Sequence, residues 1–469
     1  MKTITKHLNE THYLFAVLAL IFGVTFVKIV PPFWGIDETS HFARVYQLAH
    51  GDITTDKSQT HYGGTVPSDL VDLINYSKGD LLDNKGVGFV SRKDVDSVKV
   101  YKQLTAKKFS KQQKQFLWTA SYSPIAYTGS LAGTIVADTL NASVGHTIFL
   151  ARLGGLLLYI AIIWAAIWLL RRSRLKWLIF LVALFPSSIF QASVVTADNM
   201  IISLSLLFIA LFIRLVQAKD TLKNTKLIYA MAVVAILMPL VKLNYILLSL
   251  AFLLIPNRLF KSTKKATLIK TATSLIAAGL GLLWTSLMDT TGNPPISQRP
   301  DNAKLFPAQQ LILVSHHPLY FIDAAIRTGI IDIDYYLQSM TAFMGWNWVG
   351  IPYTFIFVLW LGIFLAAMFA KNELIAMRKK LLVLGALIAA GVIGIFGVFY
   401  LTYSTLASPE VDGVQGRYFI PFLVPAVMLM ASFLPFEIKL REKIAPYIFG
   451  SISTLCLAIG VLYYYLMTY

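Results

Sequence analysis

The chain has 469 residues, of which 56% are hydrophobic and only 14% charged, and its mean hydropathy is +0.64. A soluble domain carries about 45–50% apolar and about 25% charged residues, so these values exclude a soluble enzyme and define an integral membrane protein. The net charge of +17 does not point to nucleic acid, because the basic residues fall mainly in short loops between long apolar runs, where they report orientation.

The first apolar run, 14–30, follows Lys2 and Lys6 as a secretory signal would. It continues into "VKIVPPF" with no small-residue cleavage pattern and reads as an uncleaved first span. Pro31 and Pro32 stop it, and "GIDETSHFARVYQLAHG" follows. Asp37 is placed to cap or begin a short interfacial helix. On that helix His41, Val45 and Leu48 share a side, while Phe42, Val45 and Ala49 are available to lie on the membrane.

Further runs at 147–170, 176–190, 198–216, 227–255, 267–288, 351–370, 380–403, 418–435 and 444–466 reach or approach spanning length. The run at 227–255 is interrupted by "MPLVKLNY", where Pro239, Lys242 and Asn244 are costly in lipid, and reads as two short spans in a tight hairpin. The total is about eleven spans, within about 10–12. Cys456, the single cysteine, lies in the last run, so no internal disulfide or cysteine metal site can form.

Orientation turns on "SYSPIAYTGSLAGTIVADTL" (121–140), which is long enough to span but is rich in Ser, Thr and Gly and carries Pro124 and Asp138. If it lies in the interface, the basic loops at 171–176, 219–226, 258–265, 371–380 and 439–443 all share the side of the basic N-terminus. If it spans, they all move to the opposite side, which the positive-inside rule disfavours. The expected fold is therefore an all-α polytopic membrane protein with a cytoplasmic N-terminus and an outer C-terminus. It forms one membrane domain, 1–469, with two large extracytoplasmic loops, 31–146 and 289–350, that carry interfacial helices.

With this orientation, ionisable residues from five chain regions fall at the outer face: Asp37, Glu38, His41 and Arg44; Arg152; Asp198; Lys242 with Asn244; and Arg417 with Tyr418. Charges near the membrane that topology does not explain are functional candidates, and their arrival on one side points to one site. Plainer roles compete: a helix cap for Asp37, a structural hydrogen bond for His41, and headgroup anchoring for Arg152 and Arg417. "SHHP" (315–318) invites reading as a metal pair, but adjacent histidines point differently on any regular element and lack a third ligand nearby, which disfavours it. Trp346 and Trp348 read as an interfacial belt.

The stretches "GIDETSHFARVYQLAHG", "ASVVTADN", "SHHPLYFIDAAIRTG" to "FMGWNWVGIP", and "GRYFIPFLVP" resemble, in order along most of the chain, the bacterial membrane-protein family called domain of unknown function 2142. That family is grouped with the GT-C glycosyltransferases, which use sugars carried on polyprenyl phosphate and have an acidic residue in the first outer loop. The resemblance implies that Asp37 or Glu38 is the catalytic base. It also implies a bacterial cytoplasmic-membrane location, a lipid-linked donor, and a cell-envelope glycan acceptor such as a wall polysaccharide or teichoic acid, and it leaves divalent metal dependence open. The large soluble C-terminal domain of some GT-C enzymes is missing, so acceptor recognition falls to the outer loops.

The chemistry agrees independently. Nucleotide sugars are not expected outside the membrane, so transfer there needs a lipid-borne donor, a carboxylate to deprotonate the acceptor, and cations for the leaving phosphate. His41, Arg44, Arg152, Asp198, Lys242, Asn244, Arg417 and Tyr418 are the candidates for holding the lipid phosphate and substrate. One base without a covalent nucleophile favours inversion. The rival readings are a transporter or flippase for a lipid-linked glycan, a polysaccharide polymerase or ligase, and a scaffold. The chain shows no internal repeat of the kind transporters carry, and a scaffold does not explain Lys242.

Overall fold

The computed structural model describes residues 10–54, 56–57, 62–85, 95–117, 119, 121–218, 224–288, 304–346 and 349–469, so Trp348 lies outside the described residues. The protein is mostly helical. Among the described residues, seven helices are long and apolar enough to cross a membrane, including α1 (Thr11–Ile29), α6 (Val144–Leu169), α9 (Ala197–Val216), α12 (Thr263–Leu287), α17 (Lys371–Thr402) and α19 (Ala445–Thr468). The seventh, Gly416–Phe433, is a 3-10 turn leading into α18 (Ile420–Phe433). Three shorter apolar helical segments accompany them among the described residues: α10 (Thr225–Val241), the irregular Leu243–Leu254, and α16 (Tyr353–Phe369).

Two of the expected spans have a different local form. The run at 176–190 is a broken pair, α7 (Lys176–Ala183) and α8 (Pro186–Ala192), buried from Trp177 onward in the first helix and throughout the second. Pro186 sits in the first turn of α8, because proline cannot continue a preceding helix. The carbonyls released at the break are satisfied from inside the protein: Tyr159 Oη donates to Ala183 at 2.9 Å and Ser188 Oγ to Val182 at 2.9 Å. The run at 227–255 does break at Lys242, which is extended at φ −149°, ψ 116°. Its second limb is not a regular span, since 3-10 turns flank a four-residue helix, α11 (Ile246–Ser249).

The segment at 121–140 becomes a 3-10 turn (Pro124–Tyr127) and α5 (Thr128–Thr139), whose 12 residues rise only about 18 Å. This is too short to cross. α5 lies tightly on α6 because Gly133 admits the α6 backbone: a Cβ there would stand 2.0 Å from the Leu150 carbonyl oxygen.

The region between α1 and α6 departs from all-helical. Besides α2 (Glu38–Ala49), α3 (Ser68–Lys85) and α4 (Val95–Ala106), it holds a three-stranded antiparallel sheet in the order β1 (Asp56–Lys57), β2 (Tyr62–Pro67), β3 (Gln113–Leu117). Gly63 faces Leu117 and Pro67 faces Gln113. α2 does not lie on the membrane as its apolar residues suggested. Phe42 and Val45 are fully buried in protein.

The region between α12 and α16 contributes α13 (Pro307–His316), α14 (Pro318–Ile331) and α15 (Ile333–Thr341), with Leu319, Ile326 and Ile330 prominently exposed. His316 and His317 sit at the junction of α13 and α14, and no cluster of metal-ligating side chains occurs among the described residues.

The two ends of the helices differ chemically. At one end, basic residues close helix termini: Lys371 donates to the Ala431 carbonyl at 2.7 Å, Lys380 to Leu254 at 2.6 Å, and Arg258 to Ala218 at 3.1 Å. Cations suit those C-terminal carbonyls. They also explain why α17 starts at Lys371, well before the apolar run at 380. The opposite end of the bundle carries the candidate site.

Candidate functional site

Two adjacent acids begin this site and point to different places. Asp37 precedes α2 in the left-handed region, at φ 55° and ψ 11°, and makes no side-chain cap hydrogen bond. The capping role expected for it is therefore replaced by another. A left-handed non-glycine residue is unusual and costs on the order of 1–3 kcal/mol, although Asp tolerates it better than most. The twist sends the Asp37 carboxylate, 49% exposed, toward Arg417, with Oδ2 at 3.4 Å from Nη2.

Glu38 turns inward and is fully buried. It accepts from Arg152 Nε at 2.7 Å and Nη2 at 2.6 Å, from Gly35 N–H at 3.1 Å and from Val195 N–H at 3.0 Å. Arg152 also donates to the carbonyls of Val30 at 2.6 Å and Pro31 at 2.9 Å. This pair fastens the end of α1, the start of α2, α6 and the loop before α9 into one unit. With four donors on its two oxygens, Glu38 has no capacity left for a substrate proton, and Arg152 has no free edge for a phosphate. The expectation of a base at Glu38 and an anion site at Arg152 is corrected on that ground.

Arg44 is corrected likewise. Its guanidinium is buried and donates to the carbonyls of Tyr122 at 3.3 Å, Asp52 at 3.2 Å and Ile53 at 2.8 Å, and to Gln47 Oε1 at 2.5 Å. It clamps the chain leaving α2 to the Tyr122 segment.

The remaining candidates converge. Thr196 Oγ1 caps α9 by accepting from Asp198 N–H at 3.2 Å, which fixes Asp198 in the first turn. Asp198, 4% exposed, pairs through Oδ1 with Lys242 Nζ and through Oδ2 with Arg417 Nε, the latter at 3.0 Å. Lys242 is delivered by the break after α10, where Ser123 Oγ takes the Leu240 carbonyl at 2.6 Å. Arg417 is delivered by Gly416, whose missing Cβ would stand 2.2 Å from the Tyr336 carbonyl oxygen. Tyr418 accepts from Arg417 Nη2 at 3.3 Å, and its ring lies 5.1 Å from Lys242 Nζ.

His41 is buried one turn beyond Asp37, with Nδ1 2.5 Å from Tyr127 Oη and its ring 5.3 Å from that of Tyr122. Burial pushes the imidazole down to about 4. Asp37 opposes this, Lys242 adds to it, Asp198 opposes it and Arg417 adds to it. It is neutral at physiological pH. The sequence reading did not single out Tyr122 and Tyr127; both lie in the 121–140 segment, and Pro124 between them was the only local signal.

Lys242, Asn244, Tyr122 and Tyr418 form the polar wall of a cavity of about 340 Å³. The rest of the lining mixes apolar residues, Leu240, Leu243, Met288, Ile395 and Val398 among them, with Ser121, Ser123 and Thr285, and Lys242 is the member of the charged cluster that reaches it. Trp284 is held there by donating Nε1–H to the Ser121 carbonyl at 2.8 Å.

A helical, multi-pass membrane protein whose paired acids and cations adjoin, through Lys242, a cavity of mixed polar and apolar lining is the class these features define. The chain belongs to the family described as predicted membrane protein (DUF2142), whose model matches residues 20–426. No curated protein and no solved structure matches it.

Proposed function

We propose that the protein is a GT-C-like glycosyltransferase of the outer face of the bacterial cytoplasmic membrane, moving a sugar from a polyprenyl-phosphate donor to a cell-envelope glycan. The observation that carries this reading is the Asp37–Arg417–Asp198–Lys242 cluster, which reaches through Lys242 into a cavity lined by both polar and apolar side chains. A lipid phosphate needs that pairing of an apolar wall with cations at one end. Asp37 is the base: it is half-exposed and engaged by one weak contact. It takes the acceptor hydroxyl proton as that oxygen attacks the anomeric carbon. The bond from the anomeric carbon to the phosphate oxygen breaks, and Arg417 and Lys242 stabilise the charge on the departing polyprenyl phosphate.

Asp198 is tied to both cations and orients them, so within this cluster Asp37 is the one carboxylate free to react. The transfer therefore inverts the anomeric centre. The test compares envelope glycans from cells carrying wild type, Asp37→Asn or a deletion, with membrane abundance matched. Loss of the same sugar in the variant and the deletion supports the transferase. Wild-type glycans in the variant, with undecorated lipid-linked material in the deletion, would favour a transporter or a polymerase partner and sink the assignment of Asp37.

A further inference from the structure

Arg417 is divided among competing anions. It is 5% exposed, with Nε facing Asp198 Oδ2 at 3.0 Å and Nη2 reaching Asp37 Oδ2 at 3.4 Å and Tyr418 Oη at 3.3 Å. Nε meets Asp198 as an ion pair without a hydrogen bond, and Nη1, also buried, has no partner at all among the described residues. A buried guanidinium N–H without an acceptor is costly, and an oxyanion is the ligand that satisfies it best.

The charges of the cluster cancel, since the two carboxylates balance Lys242 and Arg417. A neutral cluster gives an incoming anion no net attraction. A phosphate gains full use of Arg417 only if one carboxylate yields. Asp198 cannot yield easily, being nearly inaccessible and held by two cations. Asp37 can. Its contact is the longest of the cluster, its carboxylate is half-exposed, and it makes no cap bond that anchors it elsewhere.

Building on the lipid-phosphate reading above, we infer that the donor's phosphate displaces Asp37 from Arg417, so that loading of the donor frees the base. The exchange moves no covalent bond: the phosphate oxygens replace the Asp37 oxygen on Nη2 and occupy Nη1. Asp37, released, swings to the acceptor side. The device orders the reaction, because a base still held by Arg417 does not activate an acceptor or water before a donor is present.

The test is equilibrium binding of undecaprenyl monophosphate to the purified full-length chain in lipid nanodiscs, with inorganic phosphate as competitor. Asp37→Asn removes the competing anion and is expected to bind the lipid phosphate about tenfold more tightly than wild type. That gain is expected to vanish in an Arg417→Lys background, which keeps the charge but loses the fork. Inorganic phosphate is expected to compete only at far higher concentration, since it lacks the apolar chain.

If wild type binds the lipid phosphate but Asp37→Asn binds it no more tightly, the exchange is overturned and the donor reading stands. If the gain persists with Arg417→Lys, the exchange does not run through Arg417 and is overturned. If wild type and Asp37→Asn both fail to bind the lipid phosphate, the donor reading itself falls. If inorganic phosphate competes on equal terms, the site is a free-anion site, and the lipid part of the inference is overturned.

Discussion

Replacing Glu38 with Gln separates the two adjacent acids. Glu38 is fully buried and accepts four hydrogen bonds, two of them from Arg152 at 2.7 and 2.6 Å. The amide removes the charge, leaves the Arg152 guanidinium uncompensated, and sets an NH2 donor against donors. Removing one partner of a buried pair costs about 3–5 kcal/mol. Thermal unfolding of the purified protein in detergent, followed by tryptophan fluorescence, should show a midpoint lowered by roughly 5 °C for Glu38→Gln. A second change, Arg152→Met, should recover part of that loss by removing the orphaned charge.

Asp37→Asn touches a half-exposed carboxylate with one ion contact among the described residues, at 3.4 Å, and should alter stability by less than about 1 kcal/mol. Equal midpoints for wild type and Glu38→Gln, or a larger loss for Asp37→Asn than for Glu38→Gln, would refute the assignment of Glu38 to structure.

Stability should also fall with acid through His41. Its folded value of about 4 lies below the unfolded 6.5, so the unfolded chain binds more protons between the two. The contribution is complete above pH 6.5 and lost as pH falls toward 4, about 3 kcal/mol in all. His41→Gln should flatten that part of the pH profile, and an unchanged slope would contradict a neutral buried ring. Gly133→Leu should force α5 off α6 and lower the unfolding midpoint, whereas Gly279→Ala, which has open space around it, should not. Because Cys456 is the only cysteine and is buried, spin labels at Leu319→Cys and Ile326→Cys report cleanly on α14. They should be accessible to oxygen and shielded from a polar nickel reagent, and the reverse would place that face in water.

The sequence exposed the candidate residues because charges beside apolar runs are conspicuous and costly. Asp198, Lys242 and Arg417, from three chain regions, do meet. What it did not expose is pairing. Glu38 and Arg152 are 114 residues apart, and nothing local says that Glu38 turns inward while Asp37, twisted by its left-handed backbone, turns out. The burial of α2 was also hidden. Its Arg44 and Gln47 look solvated but are satisfied by each other and by backbone carbonyls. The break at Pro186 was overlooked because the apolar run continues across it, and the side chains of Tyr159 and Ser188 that make it tolerable lie elsewhere in the chain or beyond the break. The β1–β3 sheet had no strong alternating pattern to announce it, as "YGGTVP" and "QKQFL" show.

The central claim, that Asp37 is the base of sugar transfer from a lipid donor, is tested most directly in the donor pool. Polyprenyl-phosphate sugars would be quantified by mass spectrometry in lipid extracts of cells expressing wild type or Asp37→Asn at equal membrane abundance. The account predicts that one lipid-linked sugar accumulates in the variant while the corresponding free polyprenyl phosphate falls. Identical pools in the two strains, with the deletion strain differing from both, would contradict it.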